Sequence, residues 1–305
     1  MLRYRLEGSG PPLLLIHGWG VTYAIWQNLA PLLTPHFQLI MIELPGIGGS
    51  PQVDPRQPYY AACAEAIEEL RLTLGIEQWS ILAYSSGTRA AEAYVQRHPQ
   101  SVLRTIFLCP IYLFELWSLI VGLLETTHPP QAITHWLFSD WRLYSLVLAF
   151  GFNGHRHQYT HIWKKEIELQ PVDTLIRTLS DLPGKGRAPF ELPAVPTLFI
   201  WGGRDALTVR PRRLRPNDVV IPANHSAPML AAASVAEVVI PFLTEGRRVI
   251  PFTQTSKRAL LKHGRYWRER RNKNLPQKRA ALLNRFLDTS RSKRKQRPLR
   301  GADRR

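Results

Sequence analysis

Short apolar runs alternate with longer amphipathic ones along most of the chain. Six runs read as strands: "LLLIHG" (Leu13–Gly18), "QLIMIEL" (Gln38–Leu44), "WSILAY" (Trp79–Tyr84), "RTIFLCP" (Arg104–Pro110), "PTLFIWG" (Pro196–Gly202) and "DVVIPA" (Asp218–Ala223). Helical patterns lie between several of them, such as "YYAACAEAIEELRLTLG" at Tyr59–Gly75, and another follows over Ala227–Leu243. Strands without polar alternation, separated by helices, predict an α/β fold with a mostly parallel sheet flanked by helices. In such sheets the residues just past the carboxyl ends of the strands gather at one site.

Those strand ends carry the candidate chemistry. After the first run comes "HGWG", His17–Gly20, where two glycines let the backbone approach a ligand and the Trp19 N–H faces it. "ELPGIGGS", Glu43–Ser50, is rich in turn residues and reads as structural. "WSILAY" runs into two serines and then a helix-forming stretch, "RAAEAYVQRH" at Arg89–His98. A turn this sharp needs small flanks. Centred on Ser85 the flanks are Ala83 and Gly87; centred on Ser86 they are Tyr84 and Thr88. Ser85 therefore fits the apex, and Ser86 the next position, where a backbone N–H faces any oxyanion. The plainer alternative is that both serines only cap the helix.

Asp205 lies three residues past Gly202, and His225 follows the last run. A serine hydroxyl is a poor nucleophile until an imidazole takes its proton, and the imidazole needs a carboxylate to fix its tautomer. Taken singly, Asp205 could cap a turn and His225 a helix. Together, at three strand ends in the order Ser85, Asp205, His225, they make a candidate triad. The span between Asp205 and His225 is short for a parallel crossover, with room for barely one helical turn around "RPRRL".

With these motifs in this order, the chain resembles the α/β-hydrolase superfamily, in its serine esterase and C–C hydrolase-like branch. The resemblance covers about Leu6 to Leu243. It implies an α/β-hydrolase fold with Ser85 as nucleophile, Asp205 as triad acid, His225 as base, and Trp19 and Ser86 as oxyanion donors. It implies cleavage of an ester or related acyl bond of a partly apolar small molecule, with C–C cleavage open. The dehalogenase and epoxide hydrolase branches use aspartate where Ser85 stands. Departures from the family pattern are Ala83, Thr88, Glu43 and Asn224, and an N-terminal hairpin shortened so that the first strand begins near Met1. A catalytically inactive, hydrolase-fold binding protein is the alternative reading.

Between about residues 111 and 190 the α/β rhythm stops. The segment is helical in pattern and rich in aromatics (Tyr112, Phe114, Trp117, Trp136, Phe138, Trp141, Tyr144, Phe150, Phe152, Tyr159, Trp163), where the resembling family carries a cap. His155, His157 and His161 lack the partners of a metal motif and read as polar cap surface, so neither a metal nor a cofactor is expected. Cys63 and Cys109 are the only cysteines and read as ordinary buried thiols of a reducing compartment.

Charge divides the chain near Gly246. Residues 1–246 hold 19 Lys+Arg against 20 Asp+Glu, and residues 247–305 hold 21 against 3, which together make the net +17. The first part is the hydrolase-like domain. The second is a basic tail with two amphipathic pieces, "KRALLKHGRYW" (Lys257–Trp267) and "QKRAALLNRFLD" (Gln277–Asp288), and a polar end expected to be disordered. Such a tail suits an anionic membrane surface, or nucleic acid through its phosphates. The N-terminus shows no apolar leader, and the stretch Ile111–Leu124, with Glu115 inside it, is short for a membrane span. A cytoplasmic protein is expected, with peripheral membrane association left open.

Overall fold

A computed structural model describes residues 1–111, 162, 165–167, 169–183, 189–208, 210–211 and 213–246. All of them belong to one unit of the chain, Met1–Thr253. The aromatic-rich stretch 112–161, the histidines at 155, 157 and 161, and the tail 247–305 lie outside the described residues.

Among the described residues seven strands make one sheet: β1 (Tyr4–Glu7), β2 (Pro12–Ile16), β3 (Gln38–Ile42), β4 (Trp79–Tyr84), β5 (Val102–Leu108), β6 (Thr197–Gly202) and β7 (Val219–Ile221). Their order is β1-β3-β2-β4-β5-β6-β7. β1 pairs antiparallel with β3, and every other pair is parallel. Burial explains the composition. β4 is buried at all six positions, and β2 and β3 at all but their first. A parallel strand covered on both faces has no solvent side on which to alternate. β1, at the edge, has no fully buried position.

The described helices are α1 (Ala30–Leu33), α2 (Tyr59–Thr73), α3 (Gly87–Arg97), α4 (Val172–Ser180), α5 (Ala227–Leu230) and α6 (Ala232–Glu245). α2 packs against α3, where the Tyr94 hydroxyl donates to Glu68 at 2.8 Å. α6 packs against α1.

Several expected boundaries move. The apolar runs overshoot β2, β3 and β5 by about two residues: His17, Glu43, Leu44 and Cys109 are buried like strand residues, yet they start the loops. The helix expected over Ala227–Leu243 is two helices, because Ala231 leaves the helical region at φ −137°, ψ 32°. β6 and β7 are parallel neighbours, with Ile200 opposite Val219. The connection between them carries turns and bends, and no helix among its described residues. A crossover that skips the helix fits the short Asp205–His225 span.

The tightest packing lies where α3 leaves β4. A Cβ on Gly87 would collide with the carbonyl oxygen of His17, which is backbone and cannot swing away. Gly75, at φ 64°, has nothing within 4 Å of such a Cβ. Gly75→Ala is therefore expected to cost only the left-handed strain, about 1–2 kcal/mol. Gly87→Ala should cost clearly more, at or above the roughly 3 kcal/mol upper end for overpacking. Urea unfolding midpoints of the two variants check the order; equal losses would contradict the close approach.

Candidate active site

Because β2 to β7 run parallel, their carboxyl ends share one edge of the sheet, and the loops that carry the candidate residues start there. β4 ends at Tyr84 and α3 begins at Gly87, so Ser85 sits at a two-residue turn. Its φ is 54°; among the described residues only Cys109, at φ 46°, is another non-glycine in the left-handed region. A left-handed serine costs energy that surrounding contacts must offset. The Ser85 N–H donates to Leu108 O at 3.0 Å, and Ser85 O accepts from Thr88 N at 3.1 Å and from the Thr88 hydroxyl at 2.5 Å. Gly18 lies against the turn, where a Cβ would meet Ser85 Cβ at 2.8 Å.

Ser85 Oγ lies 2.9 Å from His225 Nε2, and His225 Nδ1 lies 2.8 Å from Asp205 Oδ2. A carboxylate only accepts, so the ring proton sits on Nδ1 and leaves Nε2 to accept from Ser85. Burial alone would push the Asp205 carboxyl up. The electrostatic pull and hydrogen bond of His225, with two bonds from Thr208, outweigh it and hold the carboxyl below its ordinary value. Asp205 also turns its own loop: Oδ1 accepts from Leu207 N at 2.8 Å and Thr208 N at 3.1 Å, and Oδ2 accepts from the Thr208 hydroxyl at 2.8 Å. Capping a turn and holding a histidine are thus done by one residue. The backbone that carries the imidazole is held by Tyr84, whose hydroxyl donates to the His225 carbonyl oxygen at 2.9 Å. Asn224 Oδ1 accepts from Ser226 N at 3.1 Å and folds the turn that carries His225.

Neither serine caps α3 with its side chain, and Ser226 rather than His225 is the N-cap residue of α5. Trp19 and Ser86 line one small cavity, with Gly18, Leu44, Ile47 and Tyr60 among its walls. Ser86 stands at the amino end of α3, where peptide N–H groups and the helix dipole favour negative charge.

His17 has a different duty. Its Nε2 accepts from Leu44 N at 3.0 Å, so Nδ1 carries the proton and donates to Gly18 O at 2.8 Å. The neutral ring thereby ties the "HGWG" loop to the "ELPGIGGS" loop. Burial pushes its pKa down to about 4, against a lesser upward pull from Gly18 O. The second loop is closed by its own polar groups: Glu43 Oε2 accepts from Gly49 N at 2.6 Å and Ser50 Oγ donates to Glu43 O at 2.6 Å.

The described end of the insertion is bolted to these loops. Glu166 Oε2 accepts from Thr22 N at 3.0 Å, Gln170 Oε1 from Gly48 N at 2.9 Å, and Leu175 O from the Trp19 indole at 2.9 Å. Thr208, Thr88, Tyr84 and Asn224 do much of the positioning, and motif reading passes over them or counts them as departures. A Thr three residues after an Asp beyond a strand end was the one available signal, since that spacing closes an Asx-type turn.

The family model described as the alpha/beta hydrolase fold matches residues 11–225. A pimeloyl-[acyl-carrier protein] methyl ester esterase of Vibrio vulnificus (strain YJ016) is 32% identical over 105 residues, 34% of this chain and 39% of that protein. A fluoroacetate dehalogenase of Burkholderia sp is 34% identical over 138 residues, 43% of each chain. The chain thus spans about two fifths of the length of these curated relatives. Among solved structures, a thermophilic esterase from Thermogutta terrifontis superposes with TM-score 0.62 at 20% identity, over 79% of this chain and 92% of that one. The enol-lactonase from Burkholderia xenovorans LB400 gives 0.61 at 19%, over 80% and 96%. At these identities the structural likeness is one of fold.

His17 sets a pH dependence. Its folded pKa lies below the unfolded value, so the unfolded chain binds the proton first as pH falls. The stability it contributes is complete above pH 6.5 and is lost toward about pH 4. The slope approaches about 1.4 kcal/mol per pH unit within that window. His17→Gln should be less stable at neutral pH and lose this part of the slope. Urea titrations from pH 7 to 4.5 check it; an unchanged slope would show that His17 does not stay neutral.

Proposed function

The chain belongs to the alpha/beta hydrolase fold family, and from that premise we propose that it is a serine hydrolase cleaving an ester or related acyl bond of a partly apolar small molecule. The observation that carries this reading is the hydrogen-bonded line from Ser85 Oγ through His225 to Asp205, at 2.9 and 2.8 Å, on a left-handed Ser85.

In the proposed mechanism Ser85 Oγ attacks the substrate carbonyl as His225 Nε2 takes its proton. Asp205 offsets the imidazolium charge without taking the proton. The carbonyl oxygen, now negative, is received by the backbone N–H groups of Trp19 and Ser86. His225 returns its proton to the departing oxygen, leaving Ser85 acylated. Water then attacks the acyl carbon as it loses a proton to Nε2; the second oxyanion collapses, the Ser85 Oγ–acyl bond breaks, His225 returns the proton to Oγ, and the acid leaves. The same groups serve C–C cleavage where the departing carbon is stabilised as an enolate.

The chemistry of serine separates the two curated relatives. A carboxylate that displaces a halide forms an ester, which water can open. Ser85 displacing a halide from carbon would form an ether, which His225 and water cannot open. The esterase is therefore the better guide to this chain. The side chains beside Trp19 and Ser86, among them Leu44, Ile47 and Tyr60, are largely apolar, which supports an apolar group in the substrate. A cytoplasmic site is proposed with it; no helix of the described residues is long and apolar enough to cross a membrane.

A fluorophosphonate probe tests the nucleophile. The full chain should label and Ser85→Ala should not, and ester hydrolysis by Ser85→Ala, His225→Ala or Asp205→Ala should fall by about 10⁴-fold or more. Labelling that survives in Ser85→Ala would name another nucleophile. A folded wild type that does not label would favour the inactive binding protein.

The charge split carries a second element of the proposal. Residues 247–305, with 21 Lys+Arg and 3 Asp+Glu, act as a recruitment segment for an anionic membrane surface, apart from catalysis. A chain ending at Gly246 should keep its labelling rate and lose binding to phosphatidylserine vesicles. Binding to DNA in place of vesicles would assign the tail to nucleic acid.

A further inference from the structure

Cys109 takes no part in the proposed hydrolysis, yet the topology sets it at the site. β5 lies between β4 and β6, so the first residue past its end falls between Ser85 and Asp205. There the backbone turns through the left-handed region, with Cys109 N–H donating to Ile200 O at 2.8 Å. One ligand atom each from Cys109, Asp205 and His225 lies within 4.8 Å of the other two, the one such grouping among the described residues. His225 offers Nδ1, which already faces Asp205, whereas Nε2 faces Ser85.

Thiolate, imidazole and carboxylate are three donors that zinc accepts, at bond lengths of about 2.0–2.3 Å, with a fourth position left for water. Tetrahedral bonds of that length hold their donor atoms roughly 3.3–3.8 Å apart. Shifts of about 1 Å therefore close the cluster around a metal. Charge also matches, since a thiolate and the Asp205 carboxylate together neutralise a divalent cation inside a buried site. We propose that Cys109, Asp205 and His225 form an inhibitory Zn²⁺ site beside the reacting serine.

The inhibition follows from proton bookkeeping. Zinc binding releases one proton, that of the thiol. The imidazole stays neutral, but with Nδ1 bonded to zinc its proton moves through solvent to Nε2. A protonated Nε2 cannot take the proton of Ser85, so the base is lost while Ser85 itself is untouched. The effect on activity rests on the serine hydrolase reading; the binding of zinc does not.

Two readouts keep those apart: zinc retained per chain after gel filtration, and fluorophosphonate labelling rate. Wild type and Ser85→Ala should each retain about one zinc more than Cys109→Ala. Micromolar Zn²⁺ should slow labelling of wild type by about tenfold or more, reversibly with EDTA, and leave Cys109→Ala unaffected. Zinc retained elsewhere, as by His155, His157 and His161, cancels in the difference. Equal retention by wild type and Cys109→Ala, or equal slowing of both, overturns the site. A zinc-free wild type that never labels sinks the hydrolase reading, while the retention difference still decides the zinc site. Should Cys109→Ala fail to fold, Cys109→Ser carries the same readouts, a hydroxyl being a far poorer zinc ligand.

Discussion

Everything at the site depends on the backbone of Ser85 being held where an L-residue does not rest. A left-handed serine is uphill by about 1–2 kcal/mol, and two kinds of contact hold it there. Thr88 binds Ser85 O through both its N–H and its hydroxyl, while the Ser85 N–H stays tied to the end of β5. Gly18 and Gly87 supply absence: a Cβ on Gly18 would collide with Ser85 Cβ, and one on Gly87 with the His17 carbonyl oxygen, so the end of β2 could not meet the serine turn and the start of α3. That meeting places the "HGWG" loop against the serine and aims the amino end of α3 at the same point. Ser85 and the backbone of Trp19 and Ser86 are therefore brought together by one packing event between neighbouring parallel strands.

Two buried histidines at that edge show how environment assigns duty. His17 gives both nitrogens to backbone groups, Gly18 O and Leu44 N, and burial keeps it neutral; it is a strut between loops. His225 gives both nitrogens to side chains that can change charge, Asp205 and Ser85. For His17 the upward pull of the Gly18 carbonyl is smaller than the cost of burial. His225 faces Asp205, whose carboxyl is held below its ordinary value by its bonds to His225 and Thr208. Sequence alone separates the two poorly, since each follows an apolar run and precedes small residues.

The sheet, its parallel sense and the turn at Ser85 were legible because they rest on local properties: unbroken apolar runs, small flanks and a helix-forming continuation. What stayed hidden is long-range. Thr88 and Asn224 read as departures from a motif, yet each closes its turn through a side-chain bond to backbone, which a pattern of residue sizes does not record. The short span from Asp205 to His225 looked cramped because a helix was assumed in the crossover. The chain instead turns at Asp205 on its own carboxylate, and no helix stands among the described residues of the crossover. Strand ends were overrun for a related reason: functional loops are buried here, so hydropathy continues past the last ladder bond.

The helix that begins two residues after the serine also holds both ends of the insertion. Arg89, one turn along α3, donates to Ile111 O at 3.0 Å and to Glu92 Oε2 at 2.8 Å, with its guanidinium 3.8 Å from the Phe190 ring centroid. Glu92 Oε1 in turn accepts from Glu191 N at 2.7 Å. Ile111 and Glu191 are where the insertion leaves and rejoins the α/β core. The pair is almost wholly buried, at 1% and 8% side-chain exposure, and a buried ion pair by itself contributes little net stability. Its value lies in what the spare valences reach. Losing either partner would strand a charge, at roughly 3–5 kcal/mol, and would free one end of the insertion at the same stroke. The insertion is thus fastened to the element that positions Ser85. The tie to Ile111 meets α3 about one helical turn past Ser85, at Arg89, and the tie to Glu191 about two turns past it, at Glu92.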